Sequence, residues 1–387
     1  DPIEFWDPVV VARPASFEEA DATFIQVSNV TQTSFDIQLT DAGGAVDATH
    51  AAELVHYIVM DSGQFALPTG HKVFAGRLET LPQSRADRFE KVGFPKKFFS
   101  QNPVVIASTN TINEAEPVAA RVDKVKKNGF SFTLQADSSN QKQDPGHGPE
   151  EIAVIAWEPF LGIEGGLVFE IDTRGKAFGS DLKDLEFNRT HGSIPHLLAE
   201  MQTAYDKDSS QLRFDNLATD KVELFVQEDD AIGDGDTHHK KPESIGYFAI
   251  STVDENDADS DGLGNDYEKL VYNTDPENPD SDGDGIVDGQ EVESSNGSIT
   301  DPLAKDTDGD GAGDGHEIGN ATDPQSASDT PAPFIELQRL TVDGDWQTVS
   351  YNATFWDPVV VATPAGAEDV HYTNASGSEW NSVDGYV

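Results

Sequence analysis

The sequence predicts an all-β fold of tandem antiparallel β-sandwich domains, joined to a small module with little regular secondary structure. Three observations lead to this prediction. The stretch Phe-Trp-Asp-Pro-Val-Val-Val-Ala occurs without change at 5–12 and at 355–362. Many short runs alternate apolar and polar residues, which is the pattern of half-buried strands. The chain has no long amphipathic helical pattern, and polar, turn-rich connections separate the runs.

The repeated stretch marks a unit that recurs about every 90 residues. Weaker copies lie at 99–107 and 194–199, and alternating strands follow at 35–39, 130–134 and 222–226. The prolines that anchor the four copies are Pro8, Pro103, Pro195 and Pro358. The stretch 196–204 has the best helical pattern, but its distance from the anchoring proline of its repeat predicts a strand. The predicted segments are repeat 1 (1–66), repeat 2 (67–160), repeat 3 (161–252), an acidic module (253–329) and repeat 4 (330–387).

Repeats 1 and 4 are incomplete at their outer ends, and the chain starts at Asp1 without Met. We therefore expect the sequence to be a piece of a longer tandem array.

The composition excludes several classes of function. The chain has 25 Lys and Arg against 71 Asp and Glu, so its formal charge is −46. We expect no nucleic-acid partner, because this field repels phosphate. No apolar run is long enough to span a bilayer, so we expect no membrane insertion. There are no cysteines, which excludes disulfides, thiolate metal sites and cysteine nucleophiles.

The acidic residues are concentrated in one segment. Residues 253–329 hold 23 acidic residues and only two basic ones, Lys269 and Lys305. A segment with so much like charge and so little apolar residue cannot collapse by itself. It must either stay disordered or bind cations.

Three windows in this segment fit the spacing D-x-[DN]-x-[DN]-G-x5-E. The first loop offers Asp257, Asp259, Asp261, Leu263, Asn265 and Glu268. The second offers Asp280, Asp282, Asp284, Ile286, Asp288 and Glu291. The third offers Asp306, Asp308, Asp310, Ala312, Asp314 and Glu317.

This spacing suits calcium, which takes six to eight oxygen ligands. Carboxylates at positions 1, 3 and 5 cover one side of the ion, position 7 gives its backbone carbonyl, and the glutamate at position 12 closes the shell. Position 9 contributes directly or through water. Position 6 is glycine because the loop requires a positive φ there. We expect three calcium ions.

A Thr-Asp-Pro sequence follows each loop, at 274–276, 300–302 and 322–324. Proline ends a helix, so each loop has room for only one or two helical turns. This pattern resembles bacterial thrombospondin type 3 repeats, with kinship to dockerin-type loops. The cysteines of the animal repeats are missing here.

The sandwich repeats resemble a second family. Repeat 2 carries Phe94, Phe98 and Phe99 ahead of Pro103-Val104-Val105, then Arg121 to Val125, Gly129 to Leu134 and Ile152 to Trp157. This order is similar to that of H-type lectin domains. The resemblance implies a six-stranded antiparallel sandwich that binds sugars, often GalNAc or Gal, and often forms trimers.

A histidine and a glutamate recur in one loop of each repeat. The pairs are His50 and Glu53, His147 and Glu151, and His239 and Glu243. They are candidates for carbohydrate binding, and the alternative is a hydrogen bond that holds the loop. Trp6 and Trp356 are candidates for stacking on sugar rings, with packing in a core as the alternative.

The sequence has none of the H-E-x-x-H, G-x-S-x-G or P-loop motifs, so we expect no enzyme. We expect a calcium-binding, lectin-like adhesion protein at a bacterial cell surface or secreted into saline surroundings. Its partners would be glycans or further copies of itself. Two alternatives are a structural subunit of an extracellular filament or stalk, and an accessory carbohydrate-binding region of a secreted polysaccharide-degrading enzyme.

Overall fold

The fold is described from a computed structural model. It describes residues 5–14, 16–18, 23–41, 51–81, 88–113, 118–136, 148–206, 210–228, 238–294, 297–331, 348, 371–373 and 379–381. Two compact units result. The sandwich unit comprises Asp1–Ala258 with Gly264–Pro276, and the loop unit comprises Asp259–Leu263 with Glu277–Val387. Among the described residues, antiparallel strands far outnumber helices, which confirms the all-β prediction.

Repeat 1 contributes two antiparallel strand pairs to the sandwich unit. Its strands are β1 (Pro8–Pro14), β2 (Thr23–Ser28), β3 (Asp36–Asp41) and β4 (Val55–Asp61). β1 pairs with β4, and β2 pairs with β3. Alternating residues of β1 and β2 form a small core with Val10, Ala12 and Val27 at its centre.

Repeat 2 forms a full sandwich of two sheets. Its first strand, β5 (Gly63–Ala66), lies in the segment predicted as the end of repeat 1 but pairs with β6 of repeat 2. The strands that follow are β6 (Lys72–Glu79), β7 (Glu90–Gly93), β8 (Val104–Thr109), β9 (Val118–Lys126), β10 (Gly129–Ala136) and β11 (Glu151–Trp157). The sheet orders are β5-β6-β11-β8 and β7-β10-β9. A phenylalanine-rich core lies between them, including Phe94, Phe130 and Phe132.

Repeat 3 has the same topology. Its strands are β12 (Phe160–Glu164), β13 (Leu167–Phe178), β14 (Lys183–Glu186), β15 (His196–Met201), β16 (Ser210–Asp215), β17 (Lys221–Glu228) and β18 (Glu243–Thr252). The sheet orders are β12-β13-β18-β15 and β14-β17-β16. The stretch that begins at His196 is the best helical pattern in the chain. It is nevertheless a strand, as its register with Pro8 and Pro103 predicts.

The three repeats pack around a common centre. β1, β8 and β15 occupy equivalent places after the anchoring prolines, and each of them contacts the other two. Their inward residues share one buried core, which includes Val9, Val11, Val104, Ile106 and Leu198. The three repeats therefore pack into one body with a shared core and are not independent domains.

Equivalent residues of the three repeats meet at this centre as complementary groups. Arg13, Ser108 and Glu200 each lie five positions after their anchoring proline. Arg13 donates to Ser108 Oγ at 3.0 Å and forms an ion pair with Glu200. Because the repeats differ at this position, the three side chains are a cation, a hydroxyl and an anion. The cation can therefore bind both of the other groups.

Short helices follow the acidic loops. The first loop leads into α1 (Asn265–Tyr267), which continues as a π-helical turn over Glu268–Tyr272. The second and third loops lead into α2 (Asp288–Glu293) and α3 (Asp314–Asn320). Each helical segment is one to two turns long, as the Thr-Asp-Pro positions predict. Of the segment assigned to repeat 4, the described part includes one strand pair, β19 (His371–Thr373) and β20 (Glu379–Asn381).

Candidate metal centre

The second loop is folded around its own carboxylates. Asp280 accepts backbone N–H hydrogen bonds from Gly283 at 2.7 Å and from Gly285 at 3.0 Å. Asp284 Oδ1 accepts one from Ile286 at 2.7 Å. Gly285 has a φ of +95°, which confirms the reason for glycine at position 6. The turn therefore brings the side chains of positions 1, 3 and 5 together.

The third loop repeats this geometry. Asp306 accepts N–H hydrogen bonds from Gly309 at 2.8 Å and from Gly311 at 2.9 Å. Asp310 Oδ1 accepts one from Ala312 at 2.8 Å, and Gly311 has a φ of +98°. Since the same bonds form at the same positions, the two loops have one conformation determined by one spacing.

Both loops contain carboxylate oxygens that no described residue satisfies. Asp282 Oδ2, Glu291 Oε2, Asp308 Oδ2 and Glu317 Oε2 are buried with no hydrogen-bond partner among the described residues. Burying a carboxylate oxygen without a partner is costly. A hard divalent cation offers such oxygens several ligand positions at once, so the residues present fit calcium.

The electrostatics of the loops agree with this fit. Burial and the nearby charge of Asp284 raise the pKa of Asp282 to about 7. Burial also raises the pKa of Glu291 to about 8, although Thr300 donates a hydrogen bond to it. Burial and the aspartates of the third loop raise the pKa of Glu317 to about 7. Near neutral pH these groups require a proton or a cation close to them.

The residues at position 9 have a role that the spacing did not reveal. Asp288 accepts hydrogen bonds from the N–H of Ser281 at 2.8 Å and from its hydroxyl at 2.6 Å. Asp314 does the same with Thr307, at 2.9 and 2.6 Å. Each of these carboxylates therefore ties the start of its helix to position 2 of its own loop.

The threonine of Thr-Asp-Pro is a residue of the candidate site that the sequence analysis missed. Thr300 donates its hydroxyl to Glu291 Oε1 at 2.9 Å and its N–H to the Glu291 carbonyl at 3.2 Å. Thr322 likewise donates its N–H to the Glu317 carbonyl at 3.0 Å. In the second and third loops the threonine therefore holds the glutamate of position 12 in place. The recurrence of threonine before Asp-Pro after all three loops was the sequence signal that could have identified it.

The first loop belongs to both units. Asp259, Asp261 and Leu263 lie in the loop unit, and Asp257, Asn265 and Glu268 lie in the sandwich unit. Within the loop unit, Asp261 Oδ1 accepts the N–H of Leu263 at 2.7 Å, and Gly262 has a φ of +99°. Within the sandwich unit, Asn265 Oδ1 accepts the N–H of Ala258 at 3.1 Å. These are the bonds that the other two loops make at the same positions.

Three of the candidate carbohydrate residues, His239, Glu243 and Glu53, are buried in ion pairs. In repeat 3, His239 lies between Glu228, at 2.7 Å, and Glu243, at 3.2 Å. Glu243 is fully buried and also pairs with Arg121 of repeat 2 at 3.0 Å. In this arrangement neither His239 nor Glu243 is open to a glycan.

Glu53 of repeat 1 is likewise fully buried, and it pairs with Arg213 of repeat 3 at 2.8 Å. Arg213 and Arg121 occupy the same position, 18 residues after their anchoring prolines. A buried arginine–glutamate ion pair, which we call a clamp, therefore joins repeat 2 to repeat 3, and an equivalent clamp joins repeat 3 to repeat 1. In repeat 1 this position is Gln26, which accepts a hydrogen bond from Thr40 within its own repeat.

In repeat 2 the glutamate at the equivalent place is Glu150 rather than Glu151. Glu150 is 1% exposed and accepts hydrogen bonds from Thr111 and from the N–H of Asn113. Glu151 is partly exposed and faces Arg77 at 3.7 Å. The neighbouring glutamates made the alignment ambiguous by one residue. His50 and His147 lie outside the described residues.

The His239 network predicts a pH-dependent stability. Burial alone would lower the pKa of His239, but hydrogen bonds to Glu228 and Glu243 outweigh it and raise the pKa to about 9. The folded pKa lies above the ordinary value of 6.5. The stabilisation is therefore complete below pH 6.5 and is lost as the pH rises to about 9. Urea denaturation in excess calcium should show the free energy of unfolding falling across this window.

His239→Gln is the matched variant, because it keeps a polar side chain and removes the titration. Its free energy of unfolding should change less between pH 6.5 and pH 9 than that of the unchanged chain. Equal slopes in the two proteins would show that another group carries the effect.

Comparison with known proteins adds one relative. The chain is 28% identical over 255 residues to "Halomucin" of Haloquadratum walsbyi (strain DSM 16790 / HBSQ001). The match spans 64% of this chain but only 3% of that protein. No family model matches the chain, and no solved structure matches it. Nothing in these comparisons supports the bacterial source that we expected. In the described part of the chain, no helix has the length and apolar character needed to cross a membrane.

Proposed function

We propose that this chain is a calcium-stabilised structural segment of a long extracellular polypeptide that works in saline surroundings. The observation that carries the proposal is the set of buried, unpartnered carboxylate oxygens in two loops of calcium-binding spacing. The similarity to Halomucin, a protein of which the matched region is only 3%, supports a place in a long chain. In the open sea or in brine, the high acidic charge is screened by salt.

The buried clamps favour a structural role over sugar recognition. Arg121–Glu243 and Arg213–Glu53 connect different repeats, and these glutamates are among the residues that the sequence offered for glycan binding. A side chain that is fully buried in an ion pair holds domains together and does not present itself to a ligand. The sandwiches are then building blocks, and calcium orders the loop unit.

One observation favours lectin-like binding as a second candidate. Trp6 is 85% exposed, although indole side chains usually pack against protein. An exposed indole offers a flat apolar face on which a pyranose ring can stack. Trp356, its counterpart in repeat 4, lies outside the described residues.

A glycan array in excess calcium decides between the two roles. For a structural segment we expect no selective glycan binding. Selective binding that is lost in Trp6→Ala would contradict this expectation and support the lectin. Leu81→Ala is the matched control, since Leu81 is also a large exposed apolar residue, 67% exposed, and its loss should leave any binding unchanged.

A further inference from the structure

Consecutive acidic loops are joined by one repeated contact. Asp284, at position 5 of the second loop, uses Oδ2 to accept the backbone N–H of Gly315 in the third loop at 3.1 Å. Asp261, at position 5 of the first loop, makes the same bond with Gly289 of the second loop at 3.1 Å. One carboxylate therefore serves its own loop through Oδ1 and the following loop through Oδ2.

This contact explains glycine at position 10. A Cβ atom on Gly315 would lie 2.5 Å from the backbone carbonyl oxygen of Asp284, and one on Gly289 would lie 2.6 Å from that of Asp261. No side chain fits at these distances. The backbones of successive loops can approach so closely only because both residues lack a Cβ.

The first and third loops, each of which lacks a neighbouring loop on one side, support this explanation for glycine at position 10. The first loop has no loop before it, and its position 10 is Asp266. Asp266 instead pairs with Arg189 and accepts the N–H of Asp254 at 2.7 Å, both within the sandwich unit. At the other end, Asp310 Oδ2 accepts the hydroxyl of Thr330 at 3.0 Å, where a following glycine N–H would otherwise bind.

The contact also brings carboxylates of two loops together. Oxygens of Asp284, Glu291 and Asp314 all lie within 4.8 Å of one another. Asp284 and Glu291 belong to the second loop and Asp314 to the third. Glu291 and Asp314 are fully buried, and Glu291 Oε2 has no hydrogen-bond partner among the described residues. Three carboxylates this close repel one another strongly unless a cation lies among them.

We propose that the second and third loops bind calcium as a coupled pair, with Asp314 of the third loop completing the carboxylate shell of the second. This inference rests on the proposed calcium binding. An ion in the second loop neutralises the charge beside the start of α3. That favours the geometry in which α3 and the third loop are formed, and by linkage the third loop's ion favours the second site equally.

Selectively labelled glycine amides can test the coupling in the full chain. The N–H signals of Gly285 and Gly311 report the second and third loops separately during a titration with Ca²⁺. In the unchanged chain we expect both signals to follow one curve with a Hill coefficient above 1. Asp308→Asn alters only the third loop, yet it should weaken calcium binding at the second loop about tenfold, a typical size for coupled sites.

Gly315→Ala should abolish this effect, so that adding Asp308→Asn no longer shifts the Gly285 curve. Gly319→Ala is the matched control in the same helix, because a Cβ there meets nothing within 4 Å. If Asp308→Asn leaves the Gly285 curve unchanged in the native background, the sites are independent and the coupling is overturned. If neither glycine signal of the unchanged chain responds to Ca²⁺, the proposed function itself is overturned.

Discussion

A calcium chelator is expected to unfold the loop unit while the sandwich unit keeps its structure. The segment 253–329 has 23 acidic and two basic residues, and few of its apolar side chains are buried. Each ion adds roughly 2.7 kcal/mol of stability at about 100 times its dissociation constant. If the proposed three ions bind, they would supply most of what holds this segment in one conformation, whereas the sandwich repeats have large apolar cores of their own.

Hydrogen exchange with and without chelator measures this directly. The N–H groups of Gly285 and Gly311, which donate to loop carboxylates, should lose their protection. Those in β10 and β17 should keep theirs. Molar sodium chloride added with the chelator is the decisive control, because it screens repulsion without filling a site. If salt alone restores protection, screening is sufficient and specific calcium binding is contradicted.

Arg213→Ala is expected to destabilise the sandwich unit by about 3–5 kcal/mol, the usual cost of leaving one partner of a buried ion pair unpaired. Arg213 and Glu53 are both fully buried, and Arg213 also donates to Gln227 at 3.0 Å. Burial lowers the pKa of Arg213, and the charge of Glu53 together with its hydrogen bond opposes this lowering. Because the pair joins repeat 3 to repeat 1, its loss should also loosen their packing.

The matched control is Lys221→Ala in the same repeat. Lys221 pairs with Asp184 at 2.9 Å, but both side chains are well exposed, so the expected cost is below about 1 kcal/mol. Denaturation by urea gives both values. Similar small losses in the two variants would contradict the importance of the buried clamp.

Local patterns account for most of what the sequence predicted correctly. Period-two alternation placed β3, β10 and β17, and the distance from the anchoring proline identified β15 as a strand. The conformation of the loops was equally predictable, because position 6 requires a positive φ, and Gly262, Gly285 and Gly311 have one. Each of these features depends on residues within about a dozen positions of one another.

Contacts between repeats could not be predicted in this way. The pairing of Arg121 with Glu243 joins residues 122 positions apart, and the shift from Glu151 to Glu150 follows from loop lengths that differ between repeats. The glycines at position 10 looked like ordinary loop residues until the carbonyl of the preceding loop was placed against them. Long-range packing, rather than local propensity, decides such positions.

The packing of three repeats around Arg13, Ser108 and Glu200 determines how the molecule responds when it is diluted. A body assembled from three separate copies dissociates as its concentration falls, because association competes with the freedom of the copies to diffuse apart. Here the three parts are connected by the chain, so each faces its neighbours at a fixed effective concentration. A molecule released into a large volume of water therefore keeps this centre intact, however far apart individual molecules drift.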